Sequence, residues 1–375
     1  MLQVKGMSAR RIYYIGLDVH LRTSTCCILD EQGQQIKLET IRGHWSLMIE
    51  ALRKLPGKLI VGYEASCAYG TLHDQLAEFC QEVQVGHPGH LRLIFIAKRK
   101  NDRIDAAKIA KLVYLQQFPK IHVPSPEVRA WRELIELRHW LMRQISRVKN
   151  GLKALLRTYG VQVPEEESLL WTRHGRAWLG ALTWPMPEAA LHGQVLLAQW
   201  DHLAQQVEVV TERLGQIAKA HAGVALLCTI PGVGMRTAEA MIAYIDDVQR
   251  FSRINQVAAY AGLVPCEDSS ADAKRLGHIT KAGPATMRWL LVQSSWQVIR
   301  RQPAMKAYYQ RICVRRGQEG KIAIVAVARK LLSCMLAMLR SGETWRTPET
   351  PAAKEKGAAH DMKPAATPVT AGMDK

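Results

Sequence analysis

Short apolar runs separated by polar turns fill the first hundred residues and predict a mixed α/β domain. The strand-like runs are residues 12–19, 23–30, 35–41, 58–64 and 82–87, with helix-like runs at 45–55 and 71–80. The first three strands are consecutive, and the later ones alternate with helices, which predicts a mixed sheet. Residues 102–115 predict a further helix on this domain.

Two long heptad-like patterns predict a helical middle region. From Val128, one seam of apolar residues runs through Leu134, Leu141, Val148 and Leu155. A second seam steps by four and three between Leu196 and Ile217. Such spacing is typical of two long helices, either in an antiparallel hairpin or in an intermolecular coiled coil.

The pattern becomes compact and mostly helical again from about residue 224 to about 340. The most membrane-like stretch, residues 322–339, is interrupted by Arg329 and Lys330, so we interpret it as a buried helix. The tail after residue 341 is rich in Pro, Ala and charged residues without periodicity, and is expected to be disordered.

Charge narrows the possible partners. The 375 residues contain 51 Lys and Arg against 33 Asp and Glu, a net charge of +18, which favours a nucleic acid over a membrane surface. The eight cysteines form no C-x-x-C pair and indicate neither a zinc site nor a disulfide framework. With no signal-peptide core near the start, we expect a cytoplasmic protein without a membrane partner.

Four acidic residues in this basic chain are candidates for a metal site. Asp18 and Glu64 lie at the ends of two predicted strands, and Asp102 and Asp105 lie on one face of a predicted helix. Four converging carboxylates would repel one another unless cations neutralised them. Mg²⁺ prefers such oxygen ligands, and two ions about 4 Å apart can serve phosphoryl chemistry. Charge pairing on a helix surface is the alternative for the two aspartates.

Two segments of the last third are candidates for nucleic-acid contact. The stretch CTIPGVGMRTAEAMIAYI predicts a helix-hairpin-helix, in which the Gly232–Gly234 turn would present N–H groups to a phosphate beside Arg236. An ordinary helical corner that needs glycine is the alternative. Further on, Ser269 and Ser270 lie in a loop followed by Arg275, Lys281 and Arg288, which we also count as candidate nucleic-acid contacts.

Five segments in order resemble one known family. IGLDVH, GYEAS, KRKNDRIDAAKIAKL, IPGVGMRTA and AAYAGLVPCEDSSADAKRLGHITKAGPATMRWLL resemble the DEDD (Piv/MooV-type) transposases of bacterial insertion sequences, the insertion sequence one-ten family. The resemblance implies an RNase H-like (RuvC-like) domain at 10–123, a coiled-coil and oligomerisation region at 124–222, and a helical transposase domain at 223–341. The disordered tail at 342–375 completes this division.

The resemblance also implies catalytic roles. Asp18, Glu64, Asp102 and Asp105 would be the DEDD metal ligands, for two Mg²⁺ ions or Mn²⁺ in their place. The neighbouring Lys98, Arg99, Lys100 and Arg103 would hold phosphates. The family's nucleophilic serine falls on Ser270, where Ala271 replaces the usual following glycine. Ser269 is a minor candidate.

The activity implied is DNA cleavage and rejoining through a serine-linked intermediate, guided by a structured noncoding bridge RNA. Implied partners are double-stranded DNA, that RNA and further copies of the chain in a dimer or tetramer. Three alternatives stay open: a metal-only RuvC-like junction nuclease, a related DNA invertase, and a DNA-binding protein whose acidic residues are inert.

Overall fold

A computed structural model describes residues 11–66, 68–94, 101–163, 167–267, 276–315, 317 and 319–346. Its contacts divide the chain into two compact units. We call Met1–Leu134 the N-terminal unit and Ile135–Lys375 the C-terminal unit. The four-part domain division stays a prediction.

The N-terminal unit is a five-stranded mixed sheet with helices on both faces. Its strands are β1 (Ile12–Val19), β2 (Thr23–Leu29), β3 (Gln35–Arg42), β4 (Lys58–Glu64) and β5 (Glu82–Gly86). Its helices are α1 (Ser46–Arg53), α2 (Tyr69–Ala77), α3 (Pro88–Ile94) and α4 (Asp102–Tyr114). The strand order is β3-β2-β1-β4-β5, with β1 antiparallel to β2 and parallel to β4. The predicted mixed sheet is therefore confirmed; β1 and β4 have the predicted ends, and the ends of the other predicted elements differ by at most three residues.

Alternation along β1 divides the core of this unit into two layers. Tyr13, Ile15 and Leu17 are fully buried in one layer with apolar residues of α1 and α2, such as Met48 and Leu76. The intervening residues of β1 face the other side, where α4 covers the sheet. Since successive side chains of a strand point to opposite faces, the two layers follow directly from the strand period of two.

Two long helices open the C-terminal part of the chain. They are α5 (Pro126–Thr158) and α7 (Pro187–Lys219), with the short helix α6 (Arg173–Ala181) and a 3₁₀ turn (Glu167–Trp171) between them. Gly151 lies against Leu196, whereas the Arg138 Nε donates to the Thr211 Oγ1 at 2.8 Å, so the helices are antiparallel. Both predicted apolar seams contribute to their shared core. The regular packing of a coiled coil stays a prediction.

The rest of the C-terminal unit is a helical bundle with one small hairpin of strands. Its helices are α8 (Ala222–Cys228), α9 (Met235–Ile245), α10 (Ile254–Tyr260), α11 (Ala285–Arg301), α12 (Pro303–Arg315) and α13 (Gly320–Ser341), with a 3₁₀ turn at Val248–Arg250. The strands β6 (Pro265–Glu267) and β7 (Leu276–Ile279) pair antiparallel between α10 and α11. This hairpin was not predicted from the sequence, because its strands are short and flanked by glycine and proline.

Helix α13 is the predicted apolar helix. Among the described residues it is the one helix long and apolar enough to cross a membrane. However, Ala328, Leu331, Leu332, Met335 and Leu336 are fully buried, and α13 packs against α8, α10, α11 and α12. A core helix of a globular bundle meets the same test of length and composition, which agrees with the buried helix that we predict.

Candidate functional site

The acidic site of the N-terminal unit depends on the close packing of α4 on β1. A Cβ atom added to Gly16 would lie 2.1 Å from the Ala106 carbonyl oxygen and 2.2 Å from the Ala110 nitrogen. No side chain fits there, so the helix backbone rests directly on the strand. On the neighbouring strand, a Cβ at Gly62 would lie 2.3 Å from a methyl group of Val113.

The direction of α4 brings its first turn to the carboxyl end of β1. Tyr114 at the helix end packs edge-on against Tyr14, with ring centroids 5.2 Å apart, while Ala106 lies over Gly16. Helix and strand thus run in opposite directions. Asp102, at the start of the helix, consequently lies near Asp18, which follows Gly16 by two residues on the same face.

Three side chains meet at this point. The His20 Nε2 lies 3.5 Å from the Asp18 Oδ2 and 3.9 Å from the Asp102 Oδ2. One ligand atom from each of the three lies within 4.8 Å of the others, a spacing that could hold a metal ion. Asp18 is largely shielded, whereas about half of the surface of His20 and of Asp102 is open to solvent.

The other two predicted acids, Asp105 and Glu64, lie on the elements next to this cluster. Asp105 shares the first turn of α4 with Asp102. Glu64 ends β4, which pairs in parallel with β1 so that Leu17 is opposite Tyr63. Asp18 and Glu64 therefore occupy matching positions, one residue further along these two adjacent strands. Each lies two residues after a glycine that contacts α4. The four acids come from one edge of the sheet and one helix end.

The start of α4 also accounts locally for its two aspartates. The Asn101 side chain accepts a hydrogen bond from the Arg103 N–H at 3.0 Å and caps the helix. Negative charge in the first turn is favoured by the helix dipole. A cap and a dipole do not explain why Asp18 and His20 meet Asp102. The clustering across two elements is thus not explained by the helix end alone, and the roles of the acids as metal ligands stay a prediction.

A basic surface adjoins the acids on α4. A groove beside the helix is lined by Leu38, Asn101, Arg103, Ile104, Ala107, Lys108 and Lys111. Arg103, a predicted phosphate contact, also reaches the Leu38 carbonyl oxygen at 3.4 Å. The predicted Lys98, Arg99 and Lys100 lie outside the described residues. Cations beside the carboxylates suit a polyanion whose phosphates approach the acidic site.

The predicted phosphate-binding turn has two different glycines. Gly232 has a φ of +105°, and a Cβ on it would lie 2.7 Å from the Val298 nitrogen of α11, so its role in packing is clear. Gly234 precedes α9 in open space. Arg236 forms an ion pair with the buried carboxylate of Glu239 at 2.9 Å. DNA contact by this turn stays a prediction.

Arg288, a predicted nucleic-acid contact, donates hydrogen bonds to backbone carbonyl groups on both sides of the serine segment. Its Nη1 lies 2.7 Å from the Ala282 carbonyl oxygen, 3.0 Å from that of Gly283 and 3.2 Å from that of Ala261. Burial lowers the pKa of Arg288. Lys281 is exposed at a φ of +53°. Phosphate contact by either residue stays a prediction.

The predicted nucleophile lies between β6 and β7. Ser270, Ser269, Ala271 and Arg275 lie outside the described residues. The chain just before β6 and the chain just after β7 meet closely, since a Cβ at Gly262 would lie 2.1 Å from the Ala282 carbonyl oxygen. Arg288 binds the same carbonyl group, so the chain on both sides of the serine loop is fixed by one guanidinium.

Three features of these sites were not predicted from the sequence. His20 follows Asp18 by two residues in the quoted segment IGLDVH, a strand-end spacing that puts both on one face. Gly16 and Gly62 each precede a predicted acid by two residues, in IGLDV and VGYEA. That repeated glycine-x-acid pattern was a visible signal. The carbonyl contacts of Arg288 left no signal in the sequence.

Comparisons with known proteins place the chain among transposases. A model described as a transposase of the DEDD IS110 type matches residues 15–161, and one described as the transposase IS116/IS110/IS902 family matches residues 224–310. The first range contains all four acids, and the second contains the glycine turn, the serine loop and Arg288.

Individual relatives agree with these matches. The transposase for insertion sequence element IS1111A of Coxiella burnetii is 25% identical over 90% of this chain and 93% of its own length. A probable family 20 transposase of Pseudomonas aeruginosa is 29% identical over 78% of this chain and 87% of its own. The pilin gene-inverting protein of Moraxella lacunata is 30% identical over 40% and 45%, respectively. The chain belongs to the IS110 family of DNA transposases.

Proposed function

We propose that this transposase cleaves and rejoins the DNA of its own insertion sequence, using a divalent metal site and a serine nucleophile. The observation that carries the proposal is the meeting of Asp18, His20 and Asp102 at one end of β1, with Asp105 and Glu64 beside them. Family membership supports DNA as the substrate.

The donor set fits a hard divalent cation such as Mg²⁺, with Mn²⁺ as a substitute. Asp18, Glu64, Asp102 and Asp105 offer carboxylate oxygens, the ligands that Mg²⁺ prefers, and would hold two ions. A bound ion would stabilise negative charge on the phosphate oxygens. Arg103 on the same helix would bind the phosphate backbone and orient it.

Ser270 would attack the phosphorus of the cleaved phosphodiester. A bond forms between its Oγ and phosphorus while the bond to one sugar oxygen breaks. The serine proton leaves to a base, and the released oxygen ends as a free hydroxyl. The phosphoserine ester keeps the number of phosphate ester bonds unchanged, so the reverse step can join strands without ATP. This role rests on the resemblance of the serine segment.

A structured noncoding bridge RNA would choose the donor and target DNA. The net charge of +18 supports binding of both RNA and double-stranded DNA. The protein would act in the bacterial cytoplasm as a homodimer or tetramer. An exposed apolar groove between α5 and α7, lined in part by Leu137, Trp140 and Val209, supports self-association.

A covalent-adduct assay tests the chemistry. Purified protein, Mg²⁺, labelled element-junction DNA and RNA transcribed from the element flank are mixed and separated on a denaturing gel. We expect label to remain on the wild-type protein, and the adduct to disappear in Ser270→Ala but persist in Ser269→Ala. Nicked DNA with no adduct, unchanged in Ser270→Ala, would instead support a metal-only nuclease.

The metal site is tested separately. We expect Asp102→Asn and Asp105→Asn to lose adduct formation and to weaken Mn²⁺ binding in calorimetry, while DNA affinity stays within about twofold of wild type. Glu50→Gln on α1 removes an exposed carboxylate outside the site and is the matched control. Full activity in both aspartate variants would contradict the assignment, and binding without scission in wild type would favour inert acids.

DNA inversion is a second candidate, favoured by the likeness to a protein named for inverting a pilin gene. A plasmid with two junction sequences in inverted orientation separates the two activities. An inverted segment would indicate an invertase. Excision of an element and its insertion elsewhere would indicate transposition.

A further inference from the structure

Two of the ten tryptophans are strongly exposed, and their surroundings differ. Trp140 is 53% exposed and Trp289 is 49% exposed, whereas Trp131 and Trp200 are almost fully buried. Trp140 lies in the apolar groove with Leu137 and Val209. Trp289 lies near the start of α11, one residue after Arg288.

The Trp289 ring is held from one side by α5. Its centroid lies 4.9 Å from that of the His139 ring, with the planes tilted by 57°. One turn earlier, the Thr286 hydroxyl on α11 donates to the Glu136 Oε2 on α5 at 2.7 Å. These two contacts fix the side chain between the helices while half of its surface stays in water.

The surroundings of the ring are basic and polar. Arg143 and Arg138 on α5 lie near enough to His139 to lower its pKa, although burial is the larger cause and Glu136 opposes both. The imidazole beside Trp289 is therefore mainly neutral at pH 7. Further along the same side of α11, the exposed residues Gln293, Gln297 and Arg300 are polar.

This combination argues against an apolar protein partner. A docking surface for protein would continue as an apolar patch, as it does around Trp140. An exposed aromatic ring on helices that also carry exposed arginines is an arrangement that binds unpaired nucleobases, since every base has a π face and every nucleotide a phosphate. Bases stacked within an intact duplex do not expose that face.

We propose that Trp289, supported by His139 and with Arg143 one turn along α5 from that histidine, is a stacking site for an unpaired nucleobase of the nucleic acid that this protein handles. The inference rests on the proposed function only for the presence of nucleic acid. Its test measures binding at equilibrium and needs no cleavage. A failed adduct assay would leave it standing, and its own failure would leave the adduct chemistry standing.

The experiment compares single strands with and without bases. The full-length protein is titrated against a labelled oligothymidylate, a matched oligouridylate, and a strand of equal length made of abasic residues. The variants are Trp289→Ala, Trp289→Phe and the control Tyr159→Ala, which removes an exposed aromatic ring outside both this surface and the apolar groove. Thermal unfolding checks that each variant is folded.

Trp289→Ala should weaken binding of a base-bearing strand by roughly 5- to 100-fold, the range for loss of one stacked base. Trp289→Phe should retain most of the affinity, and Tyr159→Ala all of it. Binding of the abasic strand should be the same in all proteins. The oligothymidylate and oligouridylate arms distinguish a DNA base from an RNA base.

Three outcomes would overturn the inference. One is wild-type affinity of Trp289→Ala for both base-bearing strands. Another is an equal loss of affinity for the abasic strand, which would indicate a phosphate or folding effect. The third is a change of mass in sedimentation without any change in base binding, which would make Trp289 a contact between copies of the chain.

Discussion

Glu239 is a carboxylate inside the core of the C-terminal unit, 1% exposed on α9. Burial raises its pKa to about 7, while the guanidinium groups of Arg236 on α9 and Arg138 on α5 oppose the rise. Burial also raises the pKa of the Cys228 thiol on α8; Arg236 opposes that rise and the charge of Glu239 adds to it. Charged or titratable groups on three helices therefore surround this carboxyl.

This burial predicts how stability depends on pH. Below about pH 4.5 the carboxyl is protonated in both folded and unfolded chains. As pH rises from there to about 7, only the unfolded chain loses the proton, so the contribution of Glu239 to folding becomes less favourable, by on the order of 3 kcal/mol. Above pH 7 it stays constant.

Glu239→Gln removes this proton. The free energy of unfolding of this variant, relative to that of wild type, should therefore be higher at pH 8 than at pH 5, as measured by urea denaturation at both pH values. Glu212→Gln on the exposed face of α7 is the control and should follow wild type at both pH values. A pH-independent difference between Glu239→Gln and wild type would contradict the raised pKa.

The roles of single residues could be predicted from the sequence only in part. Arg288 was predicted to bind phosphate from its charge and position, yet it shares its hydrogens among backbone carbonyl groups. An arginine in a phosphate site and an arginine that holds a loop have the same sequence appearance, because carbonyl acceptors belong to the backbone. Asp18 and Asp102 were easier to predict, since strand ends and helix starts have sequence signals.

At the scale of elements, the contact between α4 and β1 determines the acidic site. Gly16→Ala would force a methyl group into the backbone of Ala106 and Ala110. We expect a loss of about 3 kcal/mol in stability, since overpacking against backbone cannot relax by side-chain rotation. The shift of α4 should also move Asp102 away from Asp18 and weaken Mn²⁺ binding.

Thermal unfolding and Mn²⁺ calorimetry measure both effects. Gly215→Ala on α7 is the matched control, because no atom lies within 4 Å of its added Cβ, and alanine favours a helix by up to about 1 kcal/mol. Wild-type stability together with wild-type Mn²⁺ affinity in Gly16→Ala would show that α4 tolerates displacement and that the site does not depend on this contact.

Elements with a strong hydrophobic period could be predicted from the sequence. Elements and contacts that depend on residues distant in sequence could not. The strands around Asp18 and Glu64 and both apolar seams follow from spacing alone. The hairpin of β6 and β7 does not, because strands of three and four residues contain too little alternation to be recognised. The approach of α4 to the sheet likewise depends on two glycines whose neighbours are distant in sequence.

At the scale of the whole molecule, a net charge of +18 predicts strongly salt-dependent binding of nucleic acid. Each phosphate neutralised by a cation releases counterions, so the logarithm of affinity falls linearly with the logarithm of salt concentration. Stacking releases no counterions. Variants that lose a phosphate contact should therefore change the slope of log affinity against log salt concentration. Variants that lose a stacking contact should leave this slope unchanged, however far they lower the affinity.

Lys281 provides the charged member of this comparison. If it contacts phosphate, Lys281→Ala should reduce the slope by about 0.9, whereas Trp289→Ala should lower affinity in parallel at every KCl concentration. Lys306→Ala on α12 is a charge-matched control and should leave the slope unchanged. A wild-type slope in Lys281→Ala would remove it from the nucleic-acid interface, and a reduced slope in Trp289→Ala would mean that this tryptophan orders a phosphate contact instead of holding a base.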